Sequence, residues 1–71
     1  MDEEIRRRIA KWLEKYIEIT DIKFGYGNDK VIRQGIRLLL KEVFTKEELK
    51  KDALKHGNII LTDEMIDKLI D

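Results

Sequence analysis

The chain has 71 residues and a mass of 8.5 kDa, which leaves room for one domain over residues 1–71 and for no second domain. Its 15 lysine and arginine residues balance its 15 aspartate and glutamate residues, and 42% of the residues are hydrophobic, so the composition favours a folded chain over a disordered one. Because the chain has no cysteine, a disulfide framework, a cysteine-based zinc site and thiol catalysis are excluded.

Uninterrupted apolar runs are short, and the longest lie at residues 38–40 and 59–61. A membrane span requires about 20 apolar residues, so we expect no membrane partner. Residues 2–4 are acidic, which is unlike a signal peptide, and we expect a cytoplasmic location. The absence of serine, cysteine and proline, with 42% charged residues, is typical of a thermostable, hyperthermophile-like chain or of an idealised de novo design.

The first predicted helix lies near residues 3–18, with Asp2 as its N-cap. Its apolar residues form one stripe at helical spacing, namely Ile5, Ile9, Trp12, Leu13 and Tyr16. We expect Trp12 to be buried against the second helix, with the fourth helix as a further neighbour. Residues 22–24 then alternate between apolar and polar side chains, which is typical of a short extended segment.

The second predicted helix lies near residues 29–43, with Asn28 as its N-cap. Its apolar arc covers roughly 200°, which is wider than a surface helix needs, so we expect it to be the central helix. Gly35 lies in the middle of this arc, where glycine costs about 1 kcal/mol relative to alanine. We therefore predict that another backbone approaches closely at Gly35. Tyr26, between two glycines, is predicted to be either a packed turn residue or a partner contact.

The third predicted helix lies near residues 46–55. Thr45 and Glu48 have the spacing of a capping box, which marks the start of this helix. At its other end, Gly57 is predicted to take the left-handed position that follows a helix. His56 is expected to act there as a cap or as a cation near the negative end of the helix dipole.

The fourth predicted helix lies near residues 63–70, with Thr62 as its N-cap. The apolar residues 59–61 before it form an extended stretch, which can pair with residues 22–24 as one tiny strand pairing. The sequence therefore predicts a mostly α, compact four-helix small domain.

One face of the second helix is purely basic. Its four cations fall within about 80°, opposite the apolar arc, and are Lys30, Arg33, Arg37 and Lys41. Such a row can contact the phosphates of a nucleic acid. The alternative is a solvated face, which the zero net charge favours. The three consecutive arginines at residues 6–8 form no such row, because a helix spreads them around its axis.

No catalytic, cofactor-binding or metal-binding set can be assembled from the sequence. His56 is the single histidine, and no metal-ligating residue stands at ligand spacing from it. Residues 25–27 lack the third glycine of a dinucleotide-binding fingerprint. We therefore expect no enzymatic activity, no cofactor and no small-molecule substrate.

Residues 39–70 resemble the BEN domain. The resemblance rests on apolar spacing, in the segment 39–44 and then at Leu49, Leu54, Leu61, Met65, Ile66 and Leu69. BEN domains are small helical modules of chromatin and transcription factors that bind DNA or protein partners, so the resemblance implies a nuclear DNA-binding or transcriptional adaptor domain. The proline-containing stretches of that family are absent here, and no DNA-reading residue is carried over.

Residues 26–39 resemble the second helix of the ribbon-helix-helix family. That family reads DNA with an N-terminal strand, whereas the N-terminus of this chain predicts a helix. The element that would contact bases is absent, so this second resemblance is disfavoured.

The sequence therefore favours a non-enzymatic helical binding module, or an engineered scaffold with no evolved task. The expected partner is a protein or a second copy of the chain. The alternative is a BEN-like domain that contacts DNA through the basic residues of the second helix.

Overall fold

The computed structural model describes residues 2–25 and 27–71. Its helices are α1 (Glu3–Leu13), α2 (Ile17–Thr20), α3 (Asp29–Glu42), α4 (Lys46–Gly57) and α5 (Asp63–Ile70), and a 3₁₀ turn at Glu14–Tyr16 joins α1 to α2. Because α1, the 3₁₀ turn and α2 follow one another without a break, together they correspond to the first predicted helix. The compact four-helix domain is confirmed, and its extents are 25 × 25 × 23 Å.

Side chains cap the longer helices at their N-termini, as the sequence predicts. Asp2, Asn28 and Thr62 each accept a hydrogen bond from a backbone amide in the first turn of α1, α3 and α5. Thr45 and Glu48 form both hydrogen bonds of a capping box at the start of α4. These bonds satisfy amides that have no partner within the helix, so each helix begins at a defined residue.

The predicted central position of the second helix is confirmed, because α3 packs against every other helix of the domain. Its buried face consists of Ile32, Gly35, Ile36 and Leu39. Apolar residues of α1, α4 and α5 surround that face, among them Ile9, Leu13, Leu49, Ala53 and Ile66.

The predicted strand pairing of residues 22–24 with residues 59–61 is wrong, since the described part of the chain contains no strand. Backbone amides that would form a ladder have other acceptors. The Phe24 N–H donates to the Glu14 carboxylate at 3.0 Å, and the Ile59 N–H donates to a carbonyl oxygen of α4. Both segments are therefore irregular, and they place apolar side chains in the core.

Gly35 makes room for an aromatic ring. A Cβ atom at Gly35 would lie 2.3 Å from Cε1 of Phe24, which is buried. The predicted close approach is confirmed, but the neighbour is a side chain and not a backbone. Glycine at this position therefore allows the Phe24 ring to pack directly on α3.

The left-handed residue that follows α4 lies one position later than predicted, and the helix extends to Gly57 instead of ending near residue 55. Gly57 belongs to the helix, and Asn58 adopts the left-handed conformation with φ of 52°. Asparagine tolerates this conformation better than most residues, so Asn58 can take the left-handed position that was predicted for Gly57. A Cβ atom at Gly57 would lie 2.9 Å from Cβ of Trp12, so this glycine instead allows α1 to approach α4 closely.

Candidate functional site

A polar network fixes α1 against α4. The indole Nε1 of Trp12 donates to Oδ2 of Asp52 at 2.8 Å, and the Tyr16 hydroxyl donates to the same oxygen. The predicted burial of Trp12 is confirmed, and the hydrogen bond to Asp52 together with the close approach to Gly57 places its side chain against α4. His56 Nε2 lies 3.7 Å from Oδ1 of Asp52 in the last turn of α4.

The titration of Tyr16 reflects this network. Burial, and then the hydrogen bond to the Asp52 carboxylate, raise the pKa of Tyr16 well above its usual range. Ionising the phenol would remove the donated proton and place a second negative charge beside Asp52. The hydrogen bond to Asp52 therefore requires a neutral tyrosine, and its role is to join Tyr16 to α4.

Two ion pairs join α4 to α5. Lys46 Nζ lies 2.8 Å from Oδ1 of Asp67, and Lys50 Nζ lies 3.0 Å from Oδ1 of Asp63. The hydrogen bond and the charge of Lys50 hold the pKa of Asp63 below its usual value. The Asp67 hydrogen bond likewise raises the pKa of Lys46.

An open groove runs along α1 and α5. Its wider part, of about 410 Å³, lies between α1, α3 and α5, and a shallower part of about 240 Å³ continues toward the loop before α5. Both parts share Ile5 and Met65 in their walls, and together they form what we term the α1–α5 groove.

The floor of the α1–α5 groove is apolar. Ile5, Met65 and Leu69 are half-buried there, because they occupy the edges of the apolar stripes of α1 and α5. Ile60, at the shallow end, is 76% exposed. The neighbouring Ile59 turns into the core, so Ile60 is left with its side chain in solvent.

Basic side chains outnumber acidic ones around the α1–α5 groove, whose acidic residues are Asp29 and Asp2, the N-cap of α1. Arg6 Nη1 forms an ion pair with Oδ1 of Asp29 at 3.0 Å. Across residues 2–25 and 27–71, no acidic partner pairs with Arg33 or Lys68, which also line the groove. The rim therefore keeps positive charge beside an apolar floor.

The structure separates the basic residues of the second predicted helix into two groups. Lys30, Arg37 and Lys41 are exposed on α3, and none of them has an ion-pair partner in the described part of the chain. Arg33 is half-buried and belongs to the α1–α5 groove. Tyr26, predicted to be a turn residue or a partner contact, lies outside the described residues.

The places of Ile60 and Lys68 in the groove were not predicted from the sequence. Ile60 was assigned to a strand, and Lys68 was not singled out. The signal for Ile60 is its position in the middle of three consecutive apolar residues, 59–61, because an extended chain cannot turn three neighbouring side chains to one side.

No set of three or more histidine, aspartate or glutamate side chains is placed to hold a metal ion among the described residues. None of the helices in that part of the chain has the length and apolar character that crossing a bilayer requires. Comparisons of the chain with protein-family models, with curated proteins and with solved structures give no match.

Proposed function

We propose that the chain is a non-enzymatic protein-binding module, and that the α1–α5 groove holds an acidic amphipathic helix of a partner protein. The observation that carries the proposal is the 76% exposure of Ile60 at the end of an apolar groove. Exposed apolar surface that continues into a concave apolar floor is typical of a protein interaction site. Covering Ile60 would remove that surface from water.

The shape and the side chains of the groove favour a helix as the occupant. Met65 and Leu69 are one turn apart on α5, and Ile5 faces them from α1. Apolar side chains at helical spacing on a partner can fill such a floor in the manner of helix-in-groove recognition. The flexible thioether chain of Met65 adapts to partners of different shape.

The charge of the rim favours an acidic partner. Arg33 and Lys68 have no ion-pair partner in residues 2–25 and 27–71, whereas Asp29 is already paired with Arg6. Carboxylates beside the apolar face of a docked helix would reach both free cations. Lysines at the same positions would be repelled.

Fluorescence anisotropy with a labelled synthetic peptide tests the proposal. The peptide is an amphipathic helix with leucines on one face and glutamates beside them, and its comparator carries lysine in place of each glutamate. We expect saturable binding of the glutamate peptide and at least about tenfold weaker binding of the lysine peptide. Equal affinity for the two peptides would contradict the proposed charge selection.

A pair of variants locates the binding surface. Ile60→Asp should lower the affinity for the glutamate peptide by at least about tenfold, because a negative charge then replaces the exposed apolar side chain at the end of the groove. Ile19→Asp is the matched control, since Ile19 is 51% exposed on α2 and lies outside the groove. If Ile19→Asp weakened binding as much as Ile60→Asp, the groove would not be the site. If sedimentation equilibrium shows a dimer and Ile60→Asp dissociates it, the occupant of the groove is a second copy of the chain. If neither peptide binds, the result favours a scaffold without an evolved task.

A BEN-like DNA-binding domain is the second candidate. It is supported by the exposure of Lys30, Arg37 and Lys41 on one face of α3, with no ion pair to any described residue. Unpaired cations in a row can neutralise successive phosphates of a duplex. The groove is favoured because it combines apolar surface with charge, whereas the exposed cations of α3 offer charge alone.

A further inference from the structure

A second cleft lies between α1 and the end of α4, with a volume of about 500 Å³. Its basic side chains are Arg8, Lys11, Lys15 and His56, and Trp12 forms part of its wall. No carboxylate belongs to the described residues that line it. We propose that this α1–α4 cleft binds a small diphosphate-bearing anion, such as inorganic pyrophosphate or the phosphates of a nucleotide.

The spacing of the cations along the helix supports a ligand of this length. Arg8 and Lys11 lie on α1 and Lys15 follows in the 3₁₀ turn, so the combined helical geometry places the three side chains within about 80° of one another. From Arg8 to Lys15 the backbone rises by about 11 Å. A ligand that meets all three side chains therefore carries its charge over two or more anionic groups.

Arg8 is held in place at one end of the α1–α4 cleft. Its Nη2 atom donates to the carbonyl oxygen of Asn58, which follows the last turn of α4. A guanidinium has five N–H donors, so this bond leaves others for an anion. Arginine in a fixed position is suited to phosphate oxygens, which it meets in pairs.

The charges around the cleft do not cancel. The C-terminal end of α4 contributes about half a negative charge, and the bond from Arg8 to Asn58 offsets it. Within the described part of the chain, Lys11 and Lys15 have no ion-pair partner. An excess of positive charge therefore faces the cleft.

The Asp52 carboxylate beside the cleft is already engaged. Asp52 is 15% exposed and accepts hydrogen bonds from Trp12 and Tyr16 through one oxygen, while its other oxygen faces His56. Asp52 thus does not line the cleft.

Titration of the whole chain with inorganic pyrophosphate tests the proposal. Trp12 is the single tryptophan, so its fluorescence reports on the cleft wall directly. We expect a saturable fluorescence change at submillimolar to millimolar pyrophosphate, together with shifts of the Arg8 and Asn58 amide signals in NMR spectra. A parallel titration with ADP separates the two sources, because tighter binding of ADP assigns the site to a nucleotide and equal binding assigns it to the diphosphate alone.

Two double variants with the same loss of charge complete the experiment. The double variant Lys11→Gln, Lys15→Gln should bind pyrophosphate at least about tenfold more weakly than the parent. Lys23→Gln with Lys51→Gln removes two exposed lysines outside the cleft and should leave the affinity unchanged. Equal weakening by both pairs, or no saturable binding at millimolar pyrophosphate, would overturn the proposal. Arg8 lines both this cleft and the shallow part of the α1–α5 groove, whereas Lys68 lines only the wider part of the groove. Lys68→Gln should therefore leave pyrophosphate binding unchanged, which separates the cleft from the wider part of the groove.

Discussion

The carboxylate oxygen Oδ2 of Asp52 on α4 lies 2.8 Å from the indole Nε1 of Trp12 on α1. The same oxygen accepts the hydroxyl proton of Tyr16, so one acidic side chain joins two aromatic side chains of the first helical unit to α4. Asparagine or serine could not supply the charge that strengthens both bonds. This contact holds together the two helices that form the α1–α4 cleft.

Replacing Asp52 should therefore be costly. Asp52→Ala leaves the buried indole N–H and the tyrosine hydroxyl without their acceptor, and we expect a loss of about 2–4 kcal/mol in the free energy of unfolding. Asp52→Asn keeps one acceptor oxygen and should lose less. Urea unfolding followed by Trp12 fluorescence measures both values, and an Asp52→Ala variant as stable as the parent would show that the network contributes nothing.

Gly35 should not tolerate even a methyl group. Gly35→Ala places a Cβ atom 2.3 Å from Cε1 of Phe24, so the ring must move out of its position in the core. We expect a loss of about 1–3 kcal/mol from overpacking, in spite of the better helix propensity of alanine. Combining Gly35→Ala with Phe24→Leu should give a double variant that loses less than the sum of the two single losses. Additive losses in thermal unfolding would mean that the two residues do not compete for space.

Alkaline pH should destabilise the domain through Tyr16. Its pKa is raised in the folded state by burial and by Asp52, so its contribution to stability is fully present below the pKa of the unfolded chain and is lost as the pH rises above about 10. Tyr16→Phe removes the titrating hydroxyl, and its stability should fall less steeply between about pH 9 and 11. Urea unfolding at a series of pH values measures the free energy of unfolding. An equally steep fall with pH for the parent and for Tyr16→Phe would contradict this assignment.

Duplex DNA provides the test between the two candidate functions. If Lys30, Arg37 and Lys41 contact phosphates, the affinity should fall with salt at a log–log slope of about −3. The protein-binding account instead predicts weak binding that is indifferent to sequence. Gel-shift titrations of the parent and of a Lys30→Gln, Arg37→Gln, Lys41→Gln variant measure both quantities. A saturable complex with one duplex in preference to a scrambled one, at physiological salt, would place the BEN-like function first.

Helix positions could be predicted because their signals are local. The caps at Asp2, Asn28 and Thr62 and the capping box at Thr45 each depend on residues within one turn. Apolar stripes at helical spacing identify the buried face of a helix before its neighbours are known. The central position of α3 could be predicted because its apolar side chains cover a wider arc than a surface helix needs.

Contacts between distant segments could not be predicted in the same way. A run of three apolar residues at 59–61 is compatible with a strand and with a loop that turns two of its side chains into the core. The choice depends on Phe24, whose backbone amide bonds to Glu14 and not to that run. Likewise, nothing local to α3 separates Arg33 from its basic neighbours, because its place in the α1–α5 groove is determined by α1 and α5.

Methyl NMR of the chain labelled at isoleucine, leucine and methionine tests the central claim most directly. The spectra are recorded during titration with the glutamate-bearing amphipathic peptide, so that every apolar side chain of the groove reports on binding separately. The account predicts the largest saturable shifts at Ile5, Ile60, Met65 and Leu69, with the Ile19 methyl signals unchanged. Shifts centred on Ile19, or no saturable shift at the four groove residues, would contradict it.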